Sequence, residues 1–231
     1  MTKQHTFKIV GGDTDSIMFC KEDESPFTEN EQKELIAEIN ALLPEMIKYD
    51  SDGMFPRVIY LKTKNYIMVD MNGKRTIKGS SLKSATLEPV LKQMLSEFID
   101  AILEDKKDTL IHIYNRYVNM VDNIVDITPW AKKMSLSPKT FESIRQNETR
   151  VVDAIQGTEY KSGDKIYVYR TDIGLLKLAE QFDGCYNKDA YYEKLYKTTL
   201  RFETVLPVKD FFKNFKLKKN KKTLTELLES K

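Results

Sequence analysis

Near the N-terminus two short apolar runs, Phe7-Lys8-Ile9-Val10 and Ile17-Met18-Phe19-Cys20, flank the polar hexamer Gly11-Gly12-Asp13-Thr14-Asp15-Ser16. Both flanks are β-prone, and the glycine, Asp, Thr and Ser between them are turn formers, so a β-hairpin with acids at its tip is expected. After an acidic loop from Lys21 to Asn30 the spacing changes. Leu35, Ile36, Ile39, Leu42, Leu43, Met46 and Ile47 recur at steps of three and four. That predicts an amphipathic helix starting near Thr28, with Glu31 completing a capping box and the apolar face packed on a sheet. Asp50 to Pro56 breaks the pattern.

Arg57 to Ile77 reads as a second hairpin, with strands Val58-Ile59-Tyr60-Leu61 and Tyr66-Ile67-Met68-Val69 and an Asn-Gly turn in Met71-Asn72-Gly73-Lys74. From Leu87 the pattern is helical: Val90, Leu91, Met94, Leu95, Phe98, Ile99, Ile102 and Leu103 share a face behind Pro89. A second helix is expected from Leu110 to Val125, and two more at Leu175 to Phe182 and Ala190 to Val205. Gly163 to Tyr169 reads as a turn and short strand, and Trp130 as a loop anchor. The expected fold is α+β: an antiparallel β piece with a flanking helix over residues 1–85, then a mainly helical piece over 86–208. Residues 209–231 form a basic tail.

Composition changes this picture little. The 231 residues carry 37 Lys+Arg against 35 Asp+Glu, so net charge alone does not call for a polyanion partner. The distribution says more, with acids crowded into Lys21 to Asp52 and lysines at the C-terminal end. Two cysteines, Cys20 and Cys185, lie far apart in apolar or aromatic surroundings, which points to buried thiols in a reducing compartment. His5 and His112 form no zinc-like cluster with them. No apolar run approaches the ~20 residues of a membrane span, and Met-Thr-Lys-Gln-His is no signal peptide. No membrane partner is expected, and a cytoplasmic location is.

Chemistry concentrates at the first hairpin. Asp13 and Asp15 sit one residue apart on a short turn, and a hard cation such as Mg²⁺ takes oxygen ligands while keeping several waters. One or two carboxylates and a substrate phosphate can hold it. A solvated Asx-turn or an incidental calcium loop has the same vocabulary.

Three motifs in order narrow this. Gly12-Asp13-Thr14-Asp15-Ser16 between strands is similar to the third catalytic motif of the palm in family B DNA polymerases. Lys62-Thr63-Lys64-Asn65-Tyr66, at a strand, resembles the Lys-Lys-Arg-Tyr element that touches the primer end. Lys78-Gly79, followed by Lys83-Ser84-Ala85-Thr86 and Pro89, resembles the approach to the thumb. The resemblance covers roughly residues 7 to 205. It implies that Asp15 is a direct ligand in a two-Mg²⁺ site, with Asp13 beside it, and that Gly12, Thr14 and Ser16 shape the turn. It places Lys62, Lys64, Tyr66, Lys78 and Lys83 against primer-template DNA, with a dNTP as the other substrate.

The departures carry equal weight. Gly11 replaces a common tyrosine and Asn65 a common arginine. The Asp of motif A, the finger lysine and the exonuclease acids have no counterpart. A separate large polymerase subunit is therefore expected to supply them, and the isolated chain is expected to be inactive. The alternative is a non-catalytic DNA-binding or processivity subunit with a vestigial acidic turn. In the tail, Leu224, Leu227 and Leu228 behind Lys221 resemble a degenerate sliding-clamp peptide, and a terminal helix packed on its own thumb explains them equally.

Overall fold

The first apolar run folds as strand β1 (Phe7–Asp13) and returns antiparallel as β2 (Ser16–Lys21). The computed structural model describes residues 7–79, 82, 87–139, 151 and 153–208. The chain divides into two compact units, Met1–Lys83 and Ser84–Lys231. Both are mixed or helical pieces with small antiparallel sheets, an α+β architecture.

In the first unit the strands reach closer to the tip than turn chemistry suggests. Asp13 pairs with Ser16, which leaves only Thr14 and Asp15 in the loop. The register shifts between Ile9 and Gly11, so Val10 is the extra residue of a bulge that bends the strand. At the base of the hairpin, Phe19 and Phe27 flank Phe7 with ring centroids 5.4 and 5.9 Å away. Helix α1 (Glu29–Ala41) starts with the expected capping box. The Thr28 hydroxyl accepts from the Glu31 amide at 3.3 Å, and Glu31 Oε2 accepts from the Thr28 amide at 2.8 Å. Lys21 Nζ donates to both Glu31 oxygens at 2.8 and 2.9 Å, so the cap also ties α1 to β2.

The helix ends earlier than the apolar spacing predicts. Leu43 precedes Pro44, and proline pushes the residue before it out of the helical region. Leu42 is already the C-cap. Leu42, Met46 and Ile47 are exposed, and Leu35 is the buried residue of α1. The apolar face predicted to pack on a sheet is therefore narrower than the spacing of Leu35 to Ile47 implies.

The second predicted hairpin is a three-stranded meander of β3 (Arg57–Lys62), β4 (Asn65–Val69) and β5 (Arg75–Lys78), in the order β3-β4-β5. The Asn-Gly turn joins β4 to β5, with Gly73 at φ +77°. Thr63 and Lys64 form a further tight turn between β3 and β4. Alternation puts Ile59, Leu61 and Ile67 inside.

In the second unit, α2 (Pro89–Leu103) buries Val90, Leu91, Met94, Leu95, Phe98 and Ile99, the predicted face. α3 (Thr109–Asp122) is shorter than predicted at its C-terminal end. There the Tyr186 hydroxyl donates to the Val121 carbonyl at 2.7 Å and accepts from the Ile124 amide at 3.1 Å, pairing backbone groups that a helix end leaves open. α4 (Lys188–Thr199) passes into a 3₁₀ turn, Leu200–Phe202, and Phe202 stacks on Phe98 at 5.8 Å. Trp130 is buried in a 3₁₀ turn and meets Tyr191 edge-on at 5.4 Å.

The predicted helix at Leu175 to Phe182 is not formed. Leu176–Leu178 is strand β8 and Ala179–Gln181 a 3₁₀ turn. β8 pairs with β7 (Lys165–Arg170), which pairs in turn with β6 (Lys132–Ser135). The segment has helix-forming composition, but as a strand Leu178 enters the cluster of Leu136, Val151, Ile155, Ile166 and Val168. Burying such a leucine is worth roughly 1.5–3 kcal/mol, which outweighs a propensity difference of tenths per residue. Cys185 is exposed and Cys20 half-buried, both free, so the expectation of two buried thiols fails for Cys185 and is met only in part for Cys20. Among the described residues no helix is long and apolar enough to cross a membrane.

Candidate functional site

The two tight turns of the first unit meet. Asp13, the last residue of β1, accepts from the Thr14 amide at 2.9 Å and from the Thr14 hydroxyl at 3.2 Å, both at Oδ1. Lys64 Nζ stands 3.5 Å from the same oxygen. The Thr14 amide is the main cause holding the Asp13 carboxyl below its ordinary value; the Thr14 hydroxyl and the Lys64 ammonium add to it, and desolvation opposes them. Asp15 follows in the loop and is exposed.

Lys64 lies in the tight turn between β3 and β4, and the rest of its motif, Lys62, Asn65 and Tyr66, lies in the strand ends on either side. The Lys64 φ of +63° is left-handed, a conformation that costs a non-glycine residue roughly 1 kcal/mol. Behind it, Asn65 is buried and its side-chain amide donates to the Thr63 carbonyl at 3.1 Å. Gly79, at φ +104°, lies against the same turn. The sequence thus aims Lys64 at Asp13 by closing a turn over a buried asparagine and a glycine.

Tyr66, half-buried at the start of β4, stacks on Tyr60 with centroids 6.0 Å apart and planes 11° from parallel. Its hydroxyl is pushed above its ordinary value by desolvation first, then by the charges of Asp13, Tyr60, Asp52 and Asp15. Lys62 and Lys78 end β3 and β5 and are exposed. Ser16 pairs with Asp13 at the edge of the loop, Gly12 pairs with Ile17 one step back, and Thr14 lies in the loop. Lys83, Leu224, Leu227 and Leu228 lie outside the described residues.

Asp13 and Lys64 are thus brought together, with Tyr66 within electrostatic reach of Asp13 and Asp15 beside it in the loop, while Lys62 and Lys78 make none of the contacts described at the tip. Tyr60 is a structural partner of the site that no sequence motif marks, whereas Asn65 and Gly79 lie within such motifs and the structure adds their place in the turn. A pair of glycines running into a strand end was the available signal, because glycine inside a strand marks close approach of another group. As a cation site the donors are hard oxygens, and Asp13 Oδ1 is already engaged. Among the described residues no third His, Cys, Asp or Glu joins them in a metal-sized group. Two carboxylates are donors of the kind Mg²⁺ takes, an ion that otherwise keeps water and substrate oxygens as ligands.

A family model described as DNA polymerase family B matches residues 1–223. The chain belongs to DNA polymerase family B. A DNA polymerase of Archaeoglobus fulgidus is 24% identical over 196 residues, covering 77% of this chain and 24% of the relative. One of Thermococcus kodakarensis is 24% identical over 104 residues, covering 45% of this chain and 6% of the relative. Among solved structures, the family B DNA polymerase of Pyrobaculum calidifontis overlays with a TM-score of 0.64 at 14% identity. It covers 87% of this chain and 27% of that one, so the fold is shared. The chain spans about a quarter of the length of the Archaeoglobus relative.

Proposed function

We propose that this chain is the part of a DNA-directed DNA polymerase that holds one carboxylate motif of the nucleotidyl-transfer site together with the duplex-gripping thumb. Asp15 is the direct metal ligand and Asp13 its neighbour. Residues outside these 231, on a larger polymerase chain in this reading, supply the second carboxylate, the triphosphate-binding lysine and the exonuclease acids. Two bound Mg²⁺ ions would activate the primer 3′-oxygen and neutralise the leaving pyrophosphate.

The observation that carries the reading is the meeting of the two turns: Lys64 Nζ lies 3.5 Å from an Asp13 oxygen, on a chain whose family match spans 1–223. A lysine beside the carboxylates can bring a backbone phosphate of the primer end next to them, a sequence-independent contact. Tyr66 offers its face beside Lys64 for packing against the primer backbone. The second unit contributes the thumb, and Lys62, Lys78 and Lys83 add phosphate contacts.

The test is primer extension with Mg²⁺ by this chain assembled with the chain that carries motif A. Asp15→Ala abolishes extension and leaves duplex binding largely intact. Normal extension by that variant returns the chain to the role of a DNA-binding subunit with a vestigial turn.

A further inference from the structure

We propose that Tyr60 is a positioning residue of this site: its ring fills the space over Gly11 and sets where the tip carboxylates stand relative to Lys64 and Tyr66. The inference rests on the functional reading above and names a residue that reading does not use.

The hairpin β1-β2 and the meander β3-β4-β5 are separate sheets with no strand ladder between them. A lone two-stranded hairpin is marginally stable in water, so the aim of its tip depends on what its side chains rest against. Tyr60 provides that rest. It sits opposite Tyr66 across the β3-β4 ladder and stacks on it, and its ring edge reaches β1. A Cβ built on Gly11 would stand 2.4, 2.7 and 2.8 Å from the Tyr60 ring atoms Cε2, Cζ and Cδ2. The Tyr60 hydroxyl also points to the Gly12 carbonyl oxygen at 3.5 Å, at the long limit of a hydrogen bond.

Gly11 is not among the residues with positive φ, so its backbone conformation does not require glycine. Space alone demands glycine there, and Tyr60 takes the space. The ring therefore packs against β1 two residues before Asp13 and leaves no room for a side chain there. One side of the ring contacts the strand that ends in the carboxylate, and its face contacts the tyrosine next to Lys64 and Asn65. A displacement of about 1 Å in a reacting group costs roughly 100-fold in rate, so this contact has leverage on catalysis.

The experiment uses Gly11→Ala, Tyr60→Leu, Tyr60→Phe and the double variant Gly11→Ala/Tyr60→Leu. Two readouts are taken: the Mg²⁺ dependence of primer extension in the assembled polymerase, and hydrogen exchange of the Asp13 to Ile17 amides in this chain. Gly11→Ala is expected to raise the Mg²⁺ needed for half-maximal extension and to speed exchange at the tip. Tyr60→Leu shifts both less, Tyr60→Phe keeps the ring and stays near the unchanged chain, and the double variant recovers part of the Gly11→Ala loss. The proposal is overturned if the double variant is no better than Gly11→Ala, or if Tyr60→Phe fails as Tyr60→Leu does. Asp15→Ala runs beside them. Extension by Asp15→Ala refutes the site assignment, while the exchange data still decide whether Tyr60 holds the tip.

Discussion

Gly79 combines a φ of +104° with neighbours so close that a Cβ would stand 2.3 Å from Asn65 Oδ1 and 2.4 Å from the Lys64 carbonyl oxygen. Gly79→Ala is therefore expected to destabilise the chain by about 1–3 kcal/mol, the usual cost of a strained non-glycine conformation, read as a lower urea midpoint. The same change disturbs the turn that presents Lys64. Removing the ammonium directly, Lys64→Ala is expected to weaken primer-template binding and to lower the salt slope by roughly 1, measured by fluorescence anisotropy across a salt series. An unchanged slope would make Lys64 an ordinary solvated lysine. Asp13 was legible in the sequence as a tip acid. Tyr60 was not, because its partner Gly11 is 49 positions away and glycine in a turn-like hexamer explains itself locally.

At the scale of elements, α1 shows which features are written locally. Thr28 and Glu31 lie within one turn, so the capping box was readable three residues at a time. Thr28→Ala is expected to cost about 1 kcal/mol of stability at neutral pH, checked by urea unfolding. Hydrogen bonds from Lys21 first, then from the Thr28 amide and hydroxyl, pull Glu31 from 4.5 to about 2, against a small opposing desolvation. A carboxyl lowered on folding stabilises the native state above its unfolded value and loses that contribution as protons bind. Stability owed to Glu31 is thus complete above pH 4.5 and declines as pH falls towards 2; Glu31→Gln should flatten that decline in urea midpoints taken from pH 6 to pH 2.5. β8 is the opposite case. Leu175 to Phe182 has the composition of a helix, and only the pairing of Arg170 with Leu176 and of Val168 with Leu178 makes it a strand.

For the whole molecule, the second unit has its own core of packed helices and a three-stranded sheet, with Phe98, Leu110, Tyr114, Tyr117, Leu195 and Phe202 almost wholly buried. Residues 84–208 expressed alone are expected to unfold in one cooperative transition by circular dichroism, as a piece with its own core does. A gradual, non-cooperative melt would show that the unit depends on the rest of the chain. By itself the sequence determined the α+β class, the acid-tipped hairpin, the faces of α2 and the likeness to family B polymerases. Each depends on neighbours within a few residues or on motif order, which a linear reading preserves. Tertiary structure alone decided that Lys64 reaches Asp13, that Tyr60 rests on Gly11, that Tyr186 closes α3 and that β8 is a strand. Those outcomes are set by which distant segments share a sheet or a core, and burial and pairing energies there exceed the local preferences that a sequence displays.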